Sequence, residues 1–142
     1  MKFPYLKRPI DPSESYCEKF CFIPCVPVKL VRGSITSPEM PALVDSGATL
    51  PFFGFQVARD IFEIDPLSGQ EIPIGGIGGN DKGYLHDGFQ IIVAGHSFPA
   101  RICFVESLPP GLQLLGREGL FDNFRVVFNE EKKQVELRPY RE

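Results

Sequence analysis

The chain has 142 residues, enough for one compact domain and too few for a second of ordinary size. Hydrophobic residues make up 43% and charged residues 23%, with a formal net charge of −3, a balance that argues against a nucleic-acid binder or a protein held on an anionic membrane. No apolar run approaches the roughly 18 residues of a membrane span, and the opening MKFPYLKRP is too charged and proline-broken for a signal peptide, so a soluble, cytoplasmic protein is expected.

Residues 1–24 carry Pro4, Pro9, Pro12 and Pro24 among mixed charges and are expected to form an extended arm, with the folded domain spanning 25–142. Cys17, Cys21 and Cys25 recur at every fourth position, which is not the ligand spacing of a zinc site. Cys103 is remote and only His86 and His96 remain to complete a set, so reduced thiols are expected, with no metal and no cofactor. From Val26 to Val31 apolar residues alternate and predict a strand closed by Arg32-Gly33-Ser34. Pro27 then belongs near the strand's start, where no ladder donor is needed.

Ala42-Leu43-Val44 reads as a short apolar strand running into Asp45-Ser46-Gly47-Ala48, and Phe55 to Phe62 as about two turns of helix. Glu71 to Ile74 leads into the glycine run Gly75-Gly76-Ile77-Gly78-Gly79. A strand follows within Gly83 to Ala94 and turns at Gly95-His96. Phe98 to Val105 then alternates, with Phe98, Ala100, Ile102 and Phe104 on one face. Pro109-Pro110-Gly111 breaks the chain before Leu112 to Gly116. A short helix is predicted from Arg117 to Asn123, then a hairpin of Phe124–Phe128 and Gln134–Arg138 around Asn129 to Lys133. Short strands punctuated by Gly and Pro predict a mainly β, closed, barrel-like fold with one or two short helices.

Three segments carry the chemistry. Asp45 stands at the tip of a tight loop after an apolar strand, where a carboxylate can hold a water. Ser46 offers a hydroxyl to brace that loop, and Gly47 lets backbone and substrate approach. Alone, the triplet is also what an ordinary turn opened by Asp looks like. Leu114-Leu115-Gly116-Arg117, which brings Gly116 71 residues after Asp45, supplies two aliphatics and a glycine able to pass beneath a neighbouring loop. Gly76, Ile77 and Gly78 suit the tip of a hairpin that opens and closes over a ligand, with Ile77 at its end. A phosphate loop fails on spacing, because Asp81 stands where G-x-G-x-x-G needs its last glycine.

Taken in order, Leu43-Val44-Asp45-Ser46-Gly47-Ala48, the glycine run 75–79, Gly95-His96 and Leu114-Leu115-Gly116-Arg117 resemble the retropepsin family of aspartic proteases. The similarity spans about residues 26 to 128 and is nearer in style to the bacterial and cellular members. The resemblance implies the acid-protease fold and a homodimer. It also implies one catalytic Asp45 from each subunit, supported by Ser46, Gly47 and Ala48 and by Leu115, Gly116 and Arg117 beneath, with a peptide or protein substrate under a flap at Gly76, Ile77 and Gly78. Three departures stand out: Thr49 occupies a position where retroviral members commonly carry an Asp that pairs with the Gly-Arg arginine, residues 121–142 extend beyond a retroviral C-terminus, and Asn80-Asp81-Lys82-Gly83 makes a more polar hairpin arm than usual. The competing expectation is a non-catalytic, dimeric peptide-binding or scaffolding module on the same fold. A serine hydrolase fits poorly, since Gly95-His96-Ser97-Phe98 continues into Pro99 and not glycine. A Cys-His protease lacks a cysteine signal to accompany His86 or His96.

Overall fold

A computed structural model of the chain describes residues 1–9, 20–76, 79–109 and 111–141. The structure is mainly β, with 59% strand and 13% helix. In chain order the strands of the described residues are β1 (Lys2–Pro4), β2 (Leu6–Pro9), β3 (Phe20–Ile23), β4 (Cys25–Arg32), β5 (Ile35–Thr36), β6 (Met40–Val44), β7 (Phe52–Gly54), β8 (Gln70–Gly76), β9 (Gly79–Val93), β10 (His96–Val105), β11 (Gln113–Leu115), β12 (Phe124–Asn129) and β13 (Gln134–Pro139). The largest sheet runs β5-β4-β6-β11-β7-β10-β9-β8, and β4 pairs in addition with β9. A second sheet has the order β1-β13-β12, and β2 pairs with β3. No helix of the described residues is long and apolar enough to cross a membrane.

Alternation decides which residues enter the core. Along β4, Val26, Val28 and Leu30 are buried, as the period-2 pattern requires. Pro27 faces Pro41 across the β4–β6 pair. Counting rungs from the Val44 N–H to Pro24 C=O bond of 2.9 Å, this is a rung without hydrogen bonds, so both donorless residues fit there. Phe53, Phe89, Phe104 and Phe124 fill the interior with Leu30, Ile91, Ile102 and Leu115. Phe89 meets Phe62 and Phe104 edge to face, with ring centroids 5.3 and 5.8 Å apart.

Several elements differ from their sequence-based expectation. The first residues are extended, yet they join the fold: β1 pairs antiparallel with β13, and Tyr5 is buried, its amide donating to Lys133 O at 2.8 Å. The remainder of the arm's middle, 10–19, lies outside the described residues. β9 begins at Gly79 and is 15 residues long, because its first half pairs with β8 and its second half with β4. β10 carries a register shift between Ala100 and Ile102, after which Ile102, Cys103, Phe104 and Val105 are all buried, since both faces are then covered. The segment Arg117–Phe121 is kinked: Glu118 is extended and Gly119 has φ 96°, a conformation that favours glycine.

Candidate active site

The site begins where β6 and β11 lie parallel, with Leu43 beside Leu114 and Val44 beside Leu115. Parallel pairing carries both strands off the sheet at the same end, so the Asp45 loop and the Gly116 turn leave it together. The Asp45 amide donates to Leu115 O at 3.0 Å, anchoring the loop's first residue. The loop then tightens on itself. The Gly47 amide donates to Asp45 Oδ1 at 2.8 Å and the Ala48 amide to Asp45 O at 3.3 Å. The bracing bond expected from the Ser46 hydroxyl comes instead from the Gly47 amide, and Ser46 is exposed.

Beneath the loop the fit is tight. A Cβ on Gly116 would fall 2.6 Å from Leu50 O and 2.7 Å from Ala48 O, so only glycine lets β11 pass under residues 48–50. The Arg117 amide donates to Ala48 O at 2.9 Å and the Glu118 amide to Thr49 O at 2.8 Å. The Arg117 guanidinium donates to Thr49 Oγ1 at 3.2 Å. Thr49 thereby gives Arg117 a neutral partner on the loop. Glu118 pairs with Arg101 at 2.7 Å. Leu115 is buried, whereas Leu114, pointing to the opposite face of β11, borders open space.

That space is a cleft of about 630 Å³. Asp45, Gly47, Ala48 and Thr49 form one side of it; Ile72, Pro73, Ile74 and Gly75 of β8 form the other. Phe52, Leu108 and Leu114 add apolar wall. β8 and β9 form the arms of the glycine-tipped hairpin, paired from Gln70–Leu85 out to Gly76–Gly79. Of the residues expected at its tip, Gly76 is the last of β8, while Ile77 and Gly78 lie outside the described residues. The hairpin is tied down by a contact that sequence reasoning did not find. Asp81, opposite Ile74, accepts a hydrogen bond from the Ser107 hydroxyl in the segment after β10.

Gln113 also escaped the sequence reading. It is buried, and its Oε1 accepts from the Gly54 amide at 2.8 Å, which pins β7 to β11 just behind the loop. A lone Gln inside the apolar run Leu112–Leu115 was the available signal, since a buried amide needs a partner.

Neither histidine borders the cleft. His86 reaches Pro66 O at 2.9 Å, and His96 packs edge to face on Phe124 with centroids 5.3 Å apart. His96 lines a separate, more polar cavity of about 570 Å³ with Asp122, Asn123, Tyr140 and Arg141. The turn before it uses Ala94 and Gly95 at φ 51° and 76°, the left-handed pair of a tight hairpin. Cys21, Cys25 and Cys103 are free thiols, and Cys17 lies outside the described residues. Burial pushes the Cys25 and Cys103 thiols up to about 11, which keeps them protonated and poor nucleophiles near neutrality. Among the described residues no group of three His, Cys, Asp or Glu is placed to hold a metal ion.

Compared with known proteins, the chain matches no family model and no curated sequence.

Proposed function

We propose that the chain is one subunit of a retropepsin-like aspartic endopeptidase, active as a homodimer in which two Asp45 carboxylates face each other. The observation that carries this reading is the seating of Asp45. A carboxylate on a hydrogen-bonded turn, whose following residues 48–50 pack over Gly116, opens on a cleft whose far wall is a glycine-tipped hairpin. The additional β4–β9 pairing, which brings two distant strands of the large sheet together, supports the closed-barrel form of the fold.

Peptide hydrolysis by water asks for one carboxylate to take a proton and another to protonate or polarise the carbonyl. The sequence contains a single Asp-Ser-Gly, so the second carboxylate comes from a second copy across a two-fold axis. Two carboxyls brought together across such an axis would share one proton and titrate as a pair; aspartic proteases are the known instance of this behaviour. One carboxylate abstracts a proton from the trapped water while the protonated partner gives its hydrogen bond to the scissile carbonyl. Collapse of the tetrahedral species then passes a proton to the leaving amine. Substrate lies extended in the cleft, pairing its main chain with β8 and placing side chains against Phe52, Ile72, Ile74, Leu108 and Leu114.

The test is cleavage of a mixed peptide library at about pH 5, near the upper apparent pKa of such a dyad, with wild type and Asp45→Asn compared. Wild-type cutting that the variant loses is the expected result. If both proteins are folded dimers and neither cuts, the reading fails, and a peptide-binding module of the same shape takes its place. The pH profile is expected to be bell-shaped. Because Ala48 has no hydroxyl to lend the carboxylate, the optimum is expected in weak acid, and a maximum below about pH 3 would contradict this.

A further inference from the structure

Among the described residues, two ionisable side chains border the cleft, Asp45 and Asp81, and both are acidic. Asp81 is exposed and stands on β9 opposite Ile74, so it and the aliphatic wall share one face of the hairpin. Its position is fixed at both oxygens: Oδ1 accepts from the Lys82 amide at 2.7 Å and Oδ2 from the Ser107 hydroxyl. A carboxylate offers about four acceptor sites, so two bonds leave room for a further donor. The same two bonds hold its carboxyl below the usual carboxylate range. The cation nearest in sequence is turned away: Lys82 falls on the opposite face of β9, where its Nζ lies 3.5 Å from Glu71 Oε1 and Tyr84 donates to the same oxygen at 3.2 Å. The fixed negative charge of the cleft outside the Asp45 turn is therefore without a cation among the described residues that line it.

We propose that Asp81 is a specificity-determining residue that selects peptides carrying one lysine or arginine among apolar side chains. The proposal rests on the endopeptidase reading for its consequence in cleavage, though the recognition itself needs no chemistry. An extended peptide lying along β8 buries apolar side chains against Ile72, Ile74, Phe52 and Leu114. It also brings one side chain toward Asp81 near the Ser107 end, where an ammonium or guanidinium finds an oriented acceptor. An acidic side chain there meets like charge.

Two readouts separate this inference from the reading it rests on. In the first, full-length wild type and Asp81→Asn are given paired peptides that differ only in lysine against norleucine. Wild type is expected to favour the lysine peptide by about two- to fivefold in kcat/KM, the size of a solvent-screened ion pair, and Asp81→Asn to bring the lysine-to-norleucine ratio to about one, whatever its rate on either peptide. In the second, the same peptides, fluorescein-labelled, are bound to Asp45→Asn with and without Asp81→Asn and followed by anisotropy at low and high salt. A lysine preference that depends on Asp81 and shrinks with salt supports the inference even where no protein cuts, in which case the endopeptidase reading alone falls. Cleavage or binding with no lysine preference in wild type, or with one that Asp81→Asn leaves intact, overturns it.

Discussion

A methyl group on Gly116 would press on Leu50 O at 2.6 Å and Ala48 O at 2.7 Å, and the loop cannot retreat while the Arg117 and Glu118 amides hold its carbonyls. Gly116→Ala is therefore expected to destabilise the chain by about 1–3 kcal/mol, the range for forced overpacking, and to displace Asp45. A lowered urea midpoint together with a kcat loss larger than any change in KM is the expected pair of results. Gln113→Leu acts from behind the same loop by stranding the Gly54 amide, a buried donor, at a cost of about 1–3 kcal/mol; equilibrium denaturation reads this directly. The thiols report burial in another way. Cys25 and Cys103 ionise near 11 when folded against an ordinary 9.0, so their contribution to stability is whole below pH 9 and is lost as pH rises toward 11. Tyr5, also raised by burial, acts in the same direction. The unfolding midpoint should accordingly fall across that window. Near neutrality, alkylation read by mass spectrometry should reach Cys21 while Cys25 and Cys103 stay protected. At this scale the sequence was readable where a residue type has few uses, as with an Asp on a tight turn or a Gly under a loop. It was not readable where a contact depends on register: Ser107 meets Asp81 only because β9 and β10 pair as they do, and no local pattern encodes that.

Among the elements, the hairpin of β8 and β9 depends most on a neighbour. At its root Gly83 lies so near β10 that a Cβ there would collide with Cys103 Sγ and come within 2.5 Å of Ile74 Cδ1. Gly83→Ala is expected to push the arm outward and to raise amide exchange along β8 and the first half of β9. A smaller residue at Cys103 should recover part of that loss, a coupling that a double-mutant cycle would measure at about 0.5–3 kcal/mol. The strands with sustained alternation, β4 and the first half of β10, were legible because burial on one face imposes period 2. β7 was not, since Phe52-Phe53-Gly54 is too short to show a period and is held by partners on both sides, β10 and β11. The kink at Glu118–Gly119 escaped for a related reason. Local propensity favours a helix there, but the Glu118 amide is taken by Thr49 O and its carboxylate by Arg101.

For the whole molecule, the proposed mechanism makes activity a property of pairs. Mixing wild type with a ninefold excess of Asp45→Asn and allowing exchange should lower activity to about a tenth, because most wild-type chains then face an inactive partner. Subunits that work alone would lose nothing, so this titration separates a shared site from a complete one. The β-rich class was legible from composition and turn spacing. The integration of the first residues was not: Pro4 and Pro9 suggest an arm, yet Tyr5 between them is buried, and only the tertiary partner β13 decides that.

The parallel pairing of β6 with β11 also has a consequence in time. Ala42 meets Gln113, 71 residues further along the chain, and the Asp45 turn is anchored through that pair. Contacts so far apart in sequence close late and place the chain among slow folders, in the range of about milliseconds to seconds. A chain still being synthesised has no seated carboxylate until the segment through Glu118 has emerged and returned to residues 45–50. During refolding, strand signal should accordingly appear before the Asp45 turn is seated, and under the proposed mechanism a growing chain is inactive toward peptides until its second half has been made.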